Sequence, residues 1–444
     1  MSEDLIIRNF NDAIFVFNPK NRKSLFVEGT ISDIVTVFLK HPNKQIDESY
    51  LRDIPSPYKV KAKEDIELVR KSICDFLHGS NDEKGLSLEN TLSDEIIETP
   101  LQKLLAYAIK KWQIINASIE LNYNCNLQCQ CCYVGNFNKS GLQRHELQTI
   151  AKQLKKAGAV FILFTGGEIL LQKDIFEIMN DFSHLGFILE AKSNGMLLTQ
   201  SAVDKFAKLN LLNLQISIYD IEERYSVFTG RNYKFNHLVK NVQLAVKQGI
   251  PVSLSVLVGK HNVNDLDKYH DVLQRTGVVE IFYSPYITPQ RNGAGKEKRF
   301  RLSRKEMDEK FYPFLEKIGG FTAPKKYRNR CKNGPSCYAG REQIAIDPDG
   351  TVFPCLDLRL PIGNLLQSDL DFILKKRKKL LRHYTLEKIS KCWQCNIVEY
   401  CDSCIGTSLL ESGNFTEPSQ HKCDITHFYH NVNLKRKEVK NENE

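Results

Sequence analysis

No stretch of this chain is apolar for long enough to cross a membrane. Around its motifs the longest purely apolar run, Ala159 to Phe164, is six residues, against the roughly 20 that a spanning helix needs. An export signal is missing too: the chain opens Met-Ser-Glu-Asp-Leu, acidic and without an apolar core. A cytoplasmic, reducing setting is therefore expected, where cysteines serve as metal ligands sooner than as disulfides. Charge of one sign is also lacking, since 62 basic side chains face 53 acidic ones for a formal +9, and metal-bound thiolates would lower that figure. The basic run Lys375 to Lys379 reads as the solvated face of a helix, so nucleic-acid binding is not inferred, and an acidic peptide partner stays compatible. Cysteine, in contrast, is plentiful at thirteen. With 444 residues, 42% of them hydrophobic, two or three domains with real cores are expected.

Three of the cysteines, Cys125, Cys129 and Cys132, lie in Asn124-Cys-Asn-Leu-Gln-Cys-Gln-Cys-Cys-Tyr133 with the spacing CxxxCxxC. A four-iron cluster has four corners, and one short loop can wrap three of them. The fourth iron then stays open to chelate a small molecule through adjacent amino and carboxylate groups. Zinc would need a second close pair to close its shell, and the next cysteine after Cys132 is Cys331. Cys131 is read as a non-ligand in a variable position. Buried core thiols are the plain alternative.

Apolar runs at about 115–121, 160–165, 187–191, 213–218, 251–257 and 279–284 read as buried parallel strands. Helical patterns fall between them, such as Leu147, Ile150, Ala151 and Leu154, or Leu238, Val242, Ala245 and Val246. Six strands with five intervening helices predict an α/β fold, a partial (β/α)6 TIM-like barrel over residues 106–300. Chemistry in such barrels sits at the C-terminal strand ends, where the cysteine loop falls. The second strand ends in Thr165-Gly166-Gly167-Glu168, whose glycines allow close backbone approach and whose Glu168 can accept from an ammonium group. The third ends in Ser193-Asn194-Gly195, suited to a ribose or a carboxylate.

With these three strand-end motifs in order, the chain resembles the radical S-adenosylmethionine superfamily. The resemblance implies that Cys125, Cys129 and Cys132 ligate a cluster whose open iron binds S-adenosyl-L-methionine. It also implies that Gly166, Gly167 and Glu168 receive the methionine amino group, with Ser193, Asn194 and Ser217 as further cofactor contacts. Ile169 replaces the proline that often follows Gly-Gly-Glu, and Cys131 replaces an aromatic or histidine; neither removes a donor. The implied chemistry is a 5'-deoxyadenosyl radical that takes hydrogen from an unactivated carbon, with the protein positioning the cofactor and excluding water.

A second constellation follows. Twelve residues separate Cys337 from Gly350 and four separate Gly350 from Cys355; then come Cys392-x2-Cys395-x5-Cys401-x2-Cys404 and Cys423. Gln343 to Cys355 reads as a hairpin about a Pro-Asp-Gly turn. This third of the chain, residues 301–444, resembles the SPASM domain of radical enzymes that act on peptides, with two auxiliary 4Fe-4S clusters. By that resemblance one cluster takes Cys331, Cys337, Cys355 and Cys404, and the other Cys392, Cys395, Cys401 and Cys423. Three 4Fe-4S clusters are then expected in all, and Cys74 and Cys131 are left over. A zinc ribbon on Cys392, Cys395, Cys401 and Cys404 is the alternative, and it leaves Cys337, Cys355 and Cys423 without a role.

Residues 1–80 differ. Ile6–Phe10, Ala13–Asn18 and Ser24–Glu28 read as short strands, followed by helical patterns at about 30–40 and 63–78. The pattern resembles the PqqD-like recognition element, a small winged-helix-like α+β domain that binds a leader peptide as an added strand. Residues 81–105 read as a linker.

Together the resemblances imply a maturase that binds the leader of a ribosomally made precursor peptide and installs a thioether or carbon–carbon crosslink. A low-potential donor such as flavodoxin or ferredoxin would supply electrons. Asp357 and Tyr133 are the only side chains noted as conceivable bases. Formylglycine formation on a sulfatase and peptide epimerisation are alternative activities, and a non-catalytic iron–sulfur or zinc peptide-binding protein is the alternative of another class.

Overall fold

The computed structural model describes residues 5–29, 31–40, 59–78, 99–135, 141–209, 211–319, 337–401 and 404–443. The chain forms two compact units, Met1–Gln113 and Ile114–Glu444.

In the first unit, β1 (Ile6–Asn9), β2 (Ala13–Asn18) and β3 (Lys23–Glu28) form an antiparallel sheet in that order. Helices α1 (Ile31–Lys40) and α2 (Lys59–His78) place Val35, Phe38, Leu39, Ile66 and Ile73 against Ile14 and Val16 of β2. A third helix, α3 (Pro100–Lys111), had not been anticipated, because residues up to 105 read as linker. Its start carries the full local signal: Thr99 and Gln102 form a reciprocal capping box and Pro100 opens the first turn. Its Tyr107 packs on Phe10 and Phe26 and donates to Asp12 at 2.7 Å, so the unit runs on to Gln113. The rest of that linker, residues 81–98, lies outside the described residues.

The second unit is built on one nine-stranded sheet. Its six parallel strands are β4 (Asn116–Glu120), β5 (Phe161–Thr165), β6 (Ile188–Ser193), β7 (Leu211–Ile218), β8 (Val252–Leu257) and β9 (Glu280–Ser284), neighbours in sequence order. They fall on the six runs read from the sequence. The crossovers are α4 (Arg144–Lys156), α5 (Ile175–His184), α6 (Gln200–Phe206), α7 (Glu222–Thr229), α8 (Phe235–Lys247) and α9 (Leu266–Gln274). Alternate strand residues such as Ile119, Phe164, Ala191, Ile216 and Leu254 are buried with the helices in one core, as two-sided burial of a parallel sheet requires.

The sheet does not close on itself. Strand β10 (Gln343–Ile346) pairs parallel to β4, and β11 (Thr351–Phe353) and β12 (Gly363–Asn364) continue outward antiparallel. The hairpin read around Pro348-Asp349-Gly350 therefore exists, and it extends the barrel sheet instead of standing apart. Gly350 turns the chain with φ +82°, a left-handed conformation costly for other residues. Among the described residues no helix is long and apolar enough to cross a membrane.

Candidate functional site

The loop after β4 holds Cys125, Cys129 and Cys132, and the loop after β5 is packed directly on it. Gly167 N–H donates to Asn122 O and Glu168 N–H to Asn124 O, both at 2.8 Å. A Cβ on Gly166 or Gly167 would collide with the backbone carbonyls of Asn122 and Asn124. The close approach that these glycines permit is thus to the cysteine loop itself.

Glu168 is fully buried. Its Oε1 accepts from Ser193 Oγ at 2.8 Å and Leu170 N at 3.0 Å, and its Oε2 from Asn194 N at 2.8 Å. Burial raises its pKa, while these three donors act in the opposite sense. The sequence expectation was a carboxylate facing an ammonium ligand. In the structure Glu168 is turned inward and ties the end of β5 to the end of β6.

Asn194 continues the link. Its Nδ2 donates to Asn126 Oδ1 at 2.8 Å and approaches Cys125 Sγ at 3.7 Å, while Leu127 N reaches the same sulfur at 3.4 Å. The ends of β4 and β6 therefore meet at one thiol, and Glu168 ties the end of β5 to Asn194 beside it. Ser217 sits one strand further, half-buried, with its hydroxyl bonded to Tyr219.

Cys132 raises the pKa of both Cys125 and Cys129, but burial is the larger cause for all three thiols, and it pushes Cys125 to about 11. Without metal these thiols stay protonated at neutral pH; binding iron would take their protons. Cys131 is buried with Phe228 and Ile287 among aromatic rings, close enough to Cys129 to raise its pKa.

The C-terminal cysteines fall into two neighbourhoods. Cys355 feels Cys337 and Cys404, and Cys423 feels Cys401, Cys392 and Cys395. Burial raises the thiols of Cys355 and Cys404, and pushes Cys423 up to about 12. Backbone and hydroxyl donors already reach the sulfurs: Leu358 N to Cys355 at 3.2 Å and Thr407 Oγ1 to Cys404 at 3.2 Å. Cys404 thus lies near Cys355. Cys331 lies outside the described residues, as does the side chain of Cys74. Among the described residues no three His, Cys, Asp or Glu side chains converge tightly enough to mark a preformed metal-ion site. The thiols are gathered by neighbourhood, and soft sulfur donors in sets of three and four suit iron–sulfur clusters.

Sequence reasoning missed the residue that binds these parts together. Glu120, 1% exposed at the end of β4, receives Arg291 at 2.6 Å, Arg359 at 3.0 Å and the Tyr123 hydroxyl at 3.1 Å. Arg291 comes from beyond β9 and also covers the Tyr133 ring at 4.7 Å; Arg359 comes from just past Cys355. A glutamate at the end of a strand read as buried was the available signal, because a buried carboxylate demands a cation. Tyr133, whose pKa burial raises, stays a neutral phenol near neutral pH and is not available as a base there. Asp357 lies near Cys355 and Lys192.

Residues 119–273 match the radical SAM superfamily, and residues 337–396 match an iron–sulfur cluster-binding domain, SPASM. The chain carries a radical SAM domain and a SPASM domain. The fold is similar to that of SuiB from Streptococcus suis, solved bound to precursor peptide SuiA, with a TM-score of 0.63 and 14% identity over 94% of this chain and 98% of that one. SuiB bound to S-adenosylmethionine gives 0.59 and 15% over 95% and 98%. Native anSMEcpe with bound AdoMet and the Cp18Cys peptide gives 0.56 and 14% over 73% and 98%. At these identities the likeness is one of fold. Alignment with SuiB nonetheless extends over nearly the whole of both chains, whereas anSMEcpe leaves about a quarter of this chain unmatched.

Proposed function

We propose that the protein is a radical SAM maturase that modifies a ribosomally made precursor peptide. The observation that carries the reading is the sorting of the cysteines on one fold. Three lie on the loop after β4, three in the Cys355 neighbourhood and four around Cys423. Cys125, Cys129 and Cys132 would hold the cluster that receives S-adenosylmethionine. Cys337, Cys355 and Cys404, with Cys331, would hold one auxiliary cluster, and Cys392, Cys395, Cys401 and Cys423 the other. When bound, the cofactor supplies a carbon radical able to remove hydrogen from an unactivated carbon.

The chain's own residues position and seclude. Glu168 holds the ends of β5 and β6 at fixed separation from the cysteine loop, and Asn194 donates toward Cys125. Gly166 and Gly167 keep their carbonyls at the strand end, where they can accept from an ammonium. Ser193 and Ser217 line the neighbouring strand ends. In the first unit β3 is an edge of its sheet and would pair with a leader peptide as an added strand, in the manner of a PqqD-like element. That the solved SuiB binds a precursor peptide supports this choice of substrate class. The product would be an intramolecular crosslink, thioether or carbon–carbon, and the auxiliary sites would take up the electron released on bond closure.

The test is mass spectrometry of a precursor peptide encoded beside the gene, incubated anaerobically with the holoprotein, reductant and S-adenosylmethionine. Loss of two hydrogen atoms marks a crosslink. An unchanged mass with inverted stereocentres indicates epimerisation, and absence of 5'-deoxyadenosine refutes the reading.

A further inference from the structure

The outward face of the helix Leu370–Leu381 is not explained by folding. Leu370, Ile373, Arg377 and Leu381 are buried, and the other side presents Lys375, Lys376 and Lys379, with Arg382 just beyond, all exposed. Among the described residues none of these four takes part in an ion pair, although Lys111, Lys156, Lys268, Lys317 and Lys391 each meet a carboxylate. Like charges three and four positions apart destabilise a helix, so the packed side must hold this helix against its own surface. Lys152 and Lys155 of α4 extend the patch. Gln153 Oε1 accepts from Leu370 N at 2.7 Å, and Lys156 meets Asp371 at 2.7 Å.

Two large apolar side chains are exposed here, Phe372 on the lysine face of the helix at 62% and Leu366 just before the helix at 51%. A merely solvated face has no use for them, whereas an apolar centre with a charged rim is the anatomy of a protein interface. The patch also leads somewhere. Leu381 abuts Gly340, whose N–H donates to Pro354 O beside Cys355. Beyond it Arg382, His383 and Lys388 are exposed on the way to Cys392 and Cys395, with Trp393 between them at the surface.

We propose that this face docks an acidic one-electron carrier protein of the flavodoxin or ferredoxin type. Phe372 and Leu366 make the central contact, and Lys375, Lys376 and Lys379 steer and orient the carrier. One electron leaves the carrier's reduced flavin or iron–sulfur centre and enters the protein's nearest cluster, with no bond made or broken. The inference rests on the maturase reading for that cluster.

The test uses anaerobically prepared holoprotein, a purified flavodoxin, and two variants, K375E/K376E/K379E and Phe372→Ala. In the triple variant the flavodoxin affinity measured by calorimetry and the flavodoxin-driven S-adenosylmethionine cleavage are each expected to fall about tenfold or more. For the wild type both are expected to weaken at 1 M salt, where screening acts within about 3 Å. Dithionite-driven cleavage should stay within about twofold in the triple variant, since a small reductant needs no dock. Phe372→Ala should weaken binding without altering its salt dependence. Unchanged flavodoxin affinity in the triple variant overturns the proposal. So does loss of precursor-peptide affinity in its place, or equal affinity for a duplex oligonucleotide. If dithionite drives no cleavage even in the wild type, the maturase reading fails, and the calorimetry still decides the dock.

Discussion

The loop after β4 and the C-terminal module both gather cysteines, but they do so by opposite routes. The first packs three thiols into eight residues and braces them with neighbouring backbone: Gly166, Gly167, Glu168 and Asn194 all reach the loop or the strand ends beside it. The second collects its thiols from four separate stretches, and its groupings cross in sequence, Cys404 joining Cys355 while Cys423 joins Cys392, Cys395 and Cys401. The two regions also treat buried charge differently. Glu120 is met by two guanidinium groups and a hydroxyl, whereas Glu342, buried in the module, leaves its Oε2 without a hydrogen bond. The triad loop is thus held by many short links, and the C-terminal module leaves a buried carboxylate with looser support.

Removing a ligand should separate the regions most sharply. Cys129→Ser is expected to abolish S-adenosylmethionine cleavage altogether, while Cys404→Ser should lose about four irons of twelve yet still cleave the cofactor, as iron counting and product chromatography would reveal. Equal loss of cleavage in both would break the distinction. Glu120→Gln comes next: it leaves Arg291 without its anion and Arg359 with only the more distant Asp347, at a cost of about 3–5 kcal/mol in chemical denaturation. Gly167→Ala should cost about 3 kcal/mol, because its methyl group strikes rigid backbone. Gly350→Ala in the module is expected to cost only about 1–2 kcal/mol, since the main penalty is its left-handed φ and the nearest atoms belong to the Leu366 and Asn364 side chains.

The smallest effect concerns pH. Burial pushes Glu342 up to about 7 in the folded protein, from 4.5. The folded state therefore holds this proton more tightly than the unfolded chain, and the associated stability is present below pH 4.5 and lost as pH rises through about 7. Glu342→Gln should accordingly raise the melting temperature at pH 8 relative to wild type and change it little at pH 4. No gain at pH 8 would show that Arg377 and Arg341 already compensate the charge.

What was legible in the sequence follows the same division. The six parallel strands, the triad and the polar strand ends could be read because each signal is contained within a short window: an apolar run, a spacing, a turn. Glu120 could be seen as unusual, but its partners Arg291 and Arg359 lie about 170 and 240 positions away, and nothing local announces them. Glu168 shows a related limit. Its position in the motif was evident, yet its inward orientation depends on Ser193 and Asn194 of another strand. Residues 100–105 were passed over for another reason, since the Asn- and Ser-rich stretch before them drew the boundary past a capping box that was present all along.

The parallel pairing of β10 with β4 has a consequence for how the protein is made. Strand β4 is synthesised early, but the partner for its outer edge arrives roughly two hundred residues later. At about 5–20 residues per second that edge waits on the order of ten seconds or more on the ribosome. During that time Ile119 and its neighbours, beside the cysteine loop, present an unpaired strand to any chain nearby. The hairpin that arrives later pairs with this edge and extends the sheet beyond β4, which ends that exposure.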